Sequence, residues 1–309
     1  MKANHNKKED GAASLNRVKS STNIAFNIVF IILSLVCIVP VVFVFIISIS
    51  SEASLAKHGY QLIPEGFGIA SYKFLWGERA TILKSLGISV LVTVTGTALG
   101  VALTTMMGYV LSRPGYKLKN FLTWVIFIPM IFNGGLVASY VVNANILGLK
   151  DSIWVLIIPL SVSSFNIVIS KTFFKSTIPD SIVESAKIDG ASQLSIFLKI
   201  VLPISKPVMA TIGLFLSFGY WNDWFQSALY INNRNLISLQ ALLNGIQQNI
   251  QYLANNPTAG VSLQQYKSSM PTESVRMAIA IVIVAPIACA YPFFQKYFIS
   301  GLTIGAVKG

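Results

Sequence analysis

The sequence predicts an all-α membrane protein of six transmembrane helices with a helical elbow on the cytoplasmic side, and three observations carry that prediction. Hydrophobic residues make up 54% of the 309 positions and charged residues only 11%, against about 25% charged in soluble domains. The apolar residues gather into six runs, roughly 24–50, 82–111, 120–142, 153–175, 208–231 and 274–299. Each is close to the ~20 residues that a hydrocarbon core ~30 Å thick requires. Between the fourth and fifth runs lies a stretch, residues 181–203, that is too polar to span a bilayer and carries its own helix caps.

The organisation that follows is a tail over 1–23, one six-helix domain over 24–299 and a tail over 300–309. The first run follows a mostly polar stretch of more than twenty residues, contains Pro40 and lacks a small-x-small cleavage site. It therefore reads as a retained span rather than a signal peptide. Cys37 and Cys289 both fall within runs, so no disulfide framework is implied. With six spans, both tails, the 112–119 turn and the 171–207 stretch share one side, which holds fifteen of the 23 lysines and arginines. Such a bias marks the cytoplasmic face. The net charge of +12 thus follows topology and does not mark a nucleic-acid surface.

Along the chain, the external segment 51–80 carries Tyr60, Phe67, Phe74 and Trp76, which suit the membrane interface. Asn133-Gly134-Gly135 interrupts the third run. A backbone break at that depth either lines a cavity or marks close packing through small residues. Asn166 in the fourth run and Tyr220, Trp221 and Asn222 in the fifth join Asn133 and Gly134 as candidates for the solute path. Asp223 is expected to be structural and paired with Arg276. In the external segment 232–273, Leu239, Leu242, Leu243, Ile246, Ile250 and Leu253 follow helical spacing, so an amphipathic helix should lie against the spans. The segment reads as a solvated outer cap that contacts a delivery protein; the alternative is that its amides, with Tyr252 or Tyr266 stacking, bond a hydroxyl-rich sugar.

The elbow is the most organised polar segment. Ser181 and Glu184 have capping-box spacing, so a helix should start there. Gly190 supplies the left-handed residue that ends it. Ser192 should cap a second helix, which Pro203 should stop before the fifth span. Glu184 either caps its own helix or contacts a partner. Leu194, Phe197, Leu198 and Val201 form a stripe expected to pack on neighbouring spans.

Chemistry is scarce elsewhere. The middles of the runs carry almost no carboxylate, His or Lys, which argues against a proton- or sodium-coupled carrier. The sequence shows no phosphate-cradling loop, no metal-ligand spacing and no nucleophile–base pair. Any uphill transport must draw its energy from a partner, and the elbow is where that partner would act.

At the elbow the residues resemble the EAA loop of bacterial ABC-importer permeases: Glu184, Ala186 and Gly190, then Ile200 and Leu202-Pro203. Asp189-Gly190-Ala191, Phe197 and Pro207 are similar to the carbohydrate-uptake branch, as is Trp221-Asn222-Asp223-Trp224-Phe225. So is the ending from Gln295 through Gly301-Leu302-Thr303-Ile304-Gly305-Ala306-Val307-Lys308-Gly309, which resembles the close of maltose-type permeases. Ser185 departs from the family's usual Ala but is equally small. The Asn-Gly-Gly and Trp-Asn-Asp-Trp-Phe motifs look like those of complex-oligosaccharide permeases.

The resemblance implies a type I ABC-importer permease in a bacterial inner membrane, with both termini cytoplasmic. It implies a second homologous permease subunit, two ATP-binding cassette ATPase subunits and an extracytoplasmic sugar-binding protein or lipoprotein as partners. No cofactor belongs to this chain; ATP and Mg would sit on the ATPase. Glu184, Ser185, Ala186, Asp189, Gly190, Ala191 and Pro203 would form the coupling element, with Ile182, Val183 and Ala186 filling the ATPase contact. Thr303, Gly305 and Lys308 would reach between the ATPases, the alternative being a disordered tail. A permease for glycerol phosphate, polyamine or phosphonate, and an ATP-independent carrier or channel, are the competing readings.

Overall fold

The computed structural model describes residues 20–255 and 273–306. Among these every regular element is a helix, with a single isolated β-bridge between Ser50 and Phe67. It divides into two compact units, residues 1–72 with 271–281 and residues 73–270 with 282–309.

In the first unit, α1 (Ser20–Ser48) runs through the first apolar stretch with nearly every side chain outward-facing. An apolar helix so exposed needs lipid or protein around it. Ser51 caps the short α2 (Glu52–His58) by accepting from Ser54 N at 3.2 Å. Ser71 Oγ donates to Ser48 O at 2.7 Å. Glu52 Oε1 accepts from both Ser274 N and Ser274 Oγ, at 2.8 and 2.7 Å. Arg276, expected to pair with Asp223, is bonded instead to Glu273 one turn away, at 3.2 Å. A helix places i and i+3 side by side, and that local partner takes the guanidinium.

The second unit is organised on α4 (Arg79–Ser112), which α3 (Ala70–Gly77) precedes. The third apolar run is broken where Asn133-Gly134-Gly135 predicts: α5 (Lys119–Ile131) stops, and α6 (Gly135–Tyr140) restarts and widens into a π-turn over Val141–Ile146. Asn133 Oδ1 accepts from Gly135 N at 2.9 Å and holds the corner.

The fourth run is not one helix. It forms α7 (Ile153–Ser161) and α8 (Ser164–Thr177), bent by 46°. The fifth also ends early. α11 (Lys206–Asn222) stops at Asp223, whose extended backbone and Oδ1 start α12 (Phe225–Tyr230) by accepting from Gln226 N at 3.3 Å. Asp in that position satisfies an orphan helix N–H. Among the described residues, α1 and α4 are each long and apolar enough to cross a membrane, and the number rises to four if two bent pairs, Ile153–Ser161 with Ser164–Thr177 and Gln193–Ile204 with Lys206–Asn222, each count as one span.

α4 is the axis of this core because its small residues admit close neighbours. A Cβ at Gly96 would overlap the Tyr220 ring, and one at Gly108 would overlap Ser170 Oγ. Val155, Ile212, Leu216 and Tyr230 are buried around these crossings. Outside them lies α13 (Leu239–Asn255), the amphipathic helix expected over 239–253. Its Leu239, Leu243 and Ile250 are buried, and Leu239 N donates to Ser89 Oγ of α4 at 2.8 Å. Tyr266 lies outside the described residues. The last helix, α14 (Glu273–Ala306), continues past the expected end of the sixth span. Thr303 and Gly305 are therefore helical, and Lys308 lies outside the described residues.

Candidate functional site

The elbow begins because Pro179 disfavours a helical backbone at Ile178, which is extended (φ −106°, ψ 97°) and closes α8. The next helix, α9, covers Asp180–Ile188, with Pro179 at its N-cap and no side-chain cap bond. Ser181 is thus inside the first turn, and the expected capping box with Glu184 is not formed. The cap is set two residues earlier by proline, and Asp180 places an acid in the first turn, where the helix dipole favours it.

The other end matches expectation. Gly190 has φ +80°. Its N–H donates to Lys187 O at 3.0 Å, while Ala191 N donates to Ala186 O at 2.9 Å. Those two bonds are a Schellman closure, which consumes carbonyls that a helix end otherwise leaves bare. Ser192 caps α10 (Gln193–Ile196) by accepting from Ser195 N at 3.2 Å.

Pro203 does not stop this second arm. A π-turn over Phe197–Val201 and a last turn over Leu202–Ile204 carry it to Ser205, where the chain bends by 81° into α11. The wide turn absorbs the missing proline N–H, as bulges of this kind do. Ser205 Oγ donates to Val201 O at 2.6 Å at the corner.

The faces of the elbow are partly the reverse of those expected. Val183 is buried with Phe174, Ile178 and Ile196, so it fastens α9 to the chain and is not available to fill an external contact. Ala186 is buried too, and lines a shallow depression of about 400 Å³ with Ser181, Ile182, Ser185 and Asp189. Ile182 and Ile188 face outward, 40% and 86% exposed. Glu184 and Gly190 are also exposed. In the second arm Phe197 and Val201 pack inward, whereas Leu194 and Leu198 point out and do not continue the stripe. Leu194 and Leu198 share one side of the arm and Phe197 and Val201 the side next to it, each pair at ordinary i, i+4 spacing.

The membrane-depth candidates do not form one site. Tyr220 is buried and its hydroxyl donates to Ile157 O at 2.6 Å, so it ties α11 to α7. Asn166 is buried in α8. Asn222 is exposed, with Nδ2 donating to Phe218 O at 2.9 Å. Trp221 Nε1 donates to Ile283 O at 3.3 Å, and the ring borders a mostly apolar cleft of about 260 Å³ with Thr93, Phe218 and Tyr291. Asn133 and Gly134 lie exposed at the corner of the third run. Sequence reasoning missed Arg113, which directly follows α4 and is bonded to the elbow (below). Its signal was one more basic residue beside an apolar run.

Three comparisons bear on this arrangement. Residues 100–304 match the family described as binding-protein-dependent transport system inner membrane component. The chain is 37% identical to protein LplC of Bacillus subtilis (strain 168), over 89% of this chain and 90% of that one. It is likewise 37% identical to the polygalacturonan/rhamnogalacturonan transport system permease protein YtcP of the same organism, over 89% and 94%. Among solved structures it resembles a chain of a bacterial ABC transporter involved in the import of the acidic polysaccharide alginate, with a TM-score of 0.73 and 26% identity. That match covers 91% of this chain and 99% of the other.

Proposed function

The chain belongs to the family of binding-protein-dependent transport system inner membrane components, and from that premise we propose that it is the permease subunit of an ATP-driven importer of a sugar or oligosaccharide. A permease of this family is a transport subunit. Relatives of this chain are named as permeases for polygalacturonan/rhamnogalacturonan, arabinooligosaccharides and galactooligosaccharides, which favours the sugar reading over a phosphate ester or polyamine.

The observation that carries the mechanism is the elbow. α9 is a short helix closed by a glycine joint, held to the chain on one face by Val183 and open on the other at Ile182, Ile188 and Glu184. Such an element can be gripped from outside and moved as a rigid body. We assign it as the coupling helix, seated on one of two ATP-binding cassette ATPase subunits, with Glu184, Ser185, Asp189, Gly190 and Ala191 at or beside the contact. Closure of the ATPases on ATP and Mg would move α9 and alternate access between the two membrane faces.

In the assembled system a second, homologous permease subunit completes the path. An extracytoplasmic binding protein delivers the solute. The six-span count treats the broken third run and the bent fourth and fifth runs as single crossings, which breaks buried in protein or lining a cavity permit. Both termini and the elbow are then cytoplasmic. Trp221 and Asn222 are the candidates for the solute path with free surface nearby, and Thr303, Gly305 and Lys308 remain candidates for an ATPase-contacting C-terminal end.

Purification of the native complex tests this reading. An ATPase, a second permease and a bound or transported sugar are expected to accompany the chain. Transport that survives loss of the ATPase, or labelling of the elbow from outside intact cells, would overturn it.

A further inference from the structure

The geometry points to Arg113 as the positioning residue that hands movement of the elbow to α4. The inference rests on the reading of α9 as a coupling helix and adds the route by which its motion enters the membrane core.

Arg113 is the C-cap of α4. Its Nη1 donates to Asp180 Oδ1, in the first turn of α9, at 2.9 Å. Its Nη2 donates to Phe174 O and Ile178 O, at the end of α8, at 3.3 Å each. Nε donates to Ser112 Oγ at 3.1 Å, and the guanidinium lies 5.2 Å from the Tyr109 ring centroid. One planar cation therefore joins the end of α4 to the end of α8 and to the start of α9.

The chemistry suits that role. Ile178 O is one of the carbonyls a helix end leaves unsatisfied, while Phe174 O also accepts from Ile178 N at 3.1 Å, and a cation complements the dipole there. The Arg113 side chain is only 14% exposed, although Asp180 is 56% exposed, so this is not a freely hydrated surface pair. A lysine cannot reproduce it, because a point charge does not bond three acceptors from one rigid plane.

Aromatic packing supports the same joint. Tyr109, one turn before Arg113, packs edge-on against Phe174 with centroids 5.7 Å apart. It also packs against Phe197 of the second arm at 5.3 Å. Both arms of the elbow thus close on the last turn of α4. From Ser112 back to Ser89 that helix extends roughly 35 Å at 1.5 Å per residue. Ser89 Oγ holds the first N–H of α13. A displacement of α9 reaches α4 through Arg113, and α4 carries it to the helix on the far side.

The test uses the complete complex reconstituted in liposomes, comparing the wild type with Arg113→Gln, Arg113→Lys and Asp180→Asn. Bound ATPase, solute transport and ATP hydrolysed per solute are measured. Arg113→Gln and Asp180→Asn are expected to keep the ATPase at wild-type stoichiometry. Each should lower transport about tenfold and raise the ATP cost per solute, a loss within the usual range of coupling free energies. Arg113→Lys, which keeps the Asp180 pair but gives up the carbonyl bonds, should fall between.

An unchanged ATP-to-solute ratio in Arg113→Gln and Asp180→Asn would overturn the role, as would parallel loss of bound ATPase. If Arg113→Gln fails to assemble, Asp180→Asn decides, since it leaves the bonds to the α8 carbonyls in place. A wild-type complex that transports without ATP would sink the coupling reading itself. A coupled wild type with equally coupled variants would sink only the role of Arg113.

Discussion

Substitution at Gly190 separates backbone shape from side-chain contact at the elbow. The residue sits at φ +80°, and a Cβ added there would meet nothing within 4 Å. Any cost of Gly190→Ala is therefore conformational, and holding an L-residue in the left-handed region costs about 1–2 kcal/mol. That shifts the balance toward an unwound or re-angled joint by a factor of roughly 5–30. Asn tolerates the left-handed region better than Ala, so Gly190→Asn should recover part of the loss.

Gly190→Pro is a different perturbation. It fixes φ near −65°, opposite in sign to what the joint needs. It also deletes the N–H that donates to Lys187 O, worth about 1 kcal/mol as a net hydrogen bond. Expected activity in reconstituted transport is glycine first, then asparagine, alanine and proline. The proline variant should insert into the membrane but co-purify with little ATPase. A proline variant that holds the ATPase at normal stoichiometry, or an asparagine variant worse than alanine, would refute the joint as described.

Three further outcomes are expected. Gly96→Ala should force the Tyr220 ring off α4 and destabilise the chain by about 1–3 kcal/mol; a thermal unfolding midpoint equal to wild type would contradict the crossing. The isolated chain should bind no ATP in equilibrium dialysis, and saturable binding would place chemistry where none is expected. Tyr60 donates to Glu273 Oε2 at 2.6 Å, and that bond, with burial, holds its hydroxyl above the ordinary tyrosine pKa. Because the folded value is raised, the contact stabilises at pH below the unfolded value of about 10 and is lost as pH rises through the folded one. Absorbance titration of wild type against Tyr60→Phe measures this directly; tyrosinate appearing at the ordinary pKa would exclude the bond.

Much of the elbow was legible because capping is local. Ser192 and Gly190 act within a few residues of themselves, and the sequence places both correctly. The α9 start was missed because Ser181 is an attractive cap, while Pro179 and the residue before it set the boundary instead. The inward side of α9 could not be read either, since Val183 is buried only because Phe174 and Ile196 come from other segments. Long apolar runs hid the bends at 162–163 and at Asp223, for hydropathy averages over a break that a few dihedrals create. The break at Asn133-Gly134-Gly135 was visible because glycine and asparagine announce it. Arg113 was invisible as a joint because its partners in α8 and α9 lie more than sixty residues away.

Tyr220 over Gly96, with its hydroxyl on Ile157, acts as a bolt through three struts, α4, α7 and α11. Struts bolted at that level resist splaying apart there. On the permease reading, a passage past them would open by swinging at the hinges the bolt leaves free: the kink between α7 and α8, the corner at Ser205 and the gap at Asp223. The aperture would then be governed by three short backbone segments rather than by separation of the helices themselves.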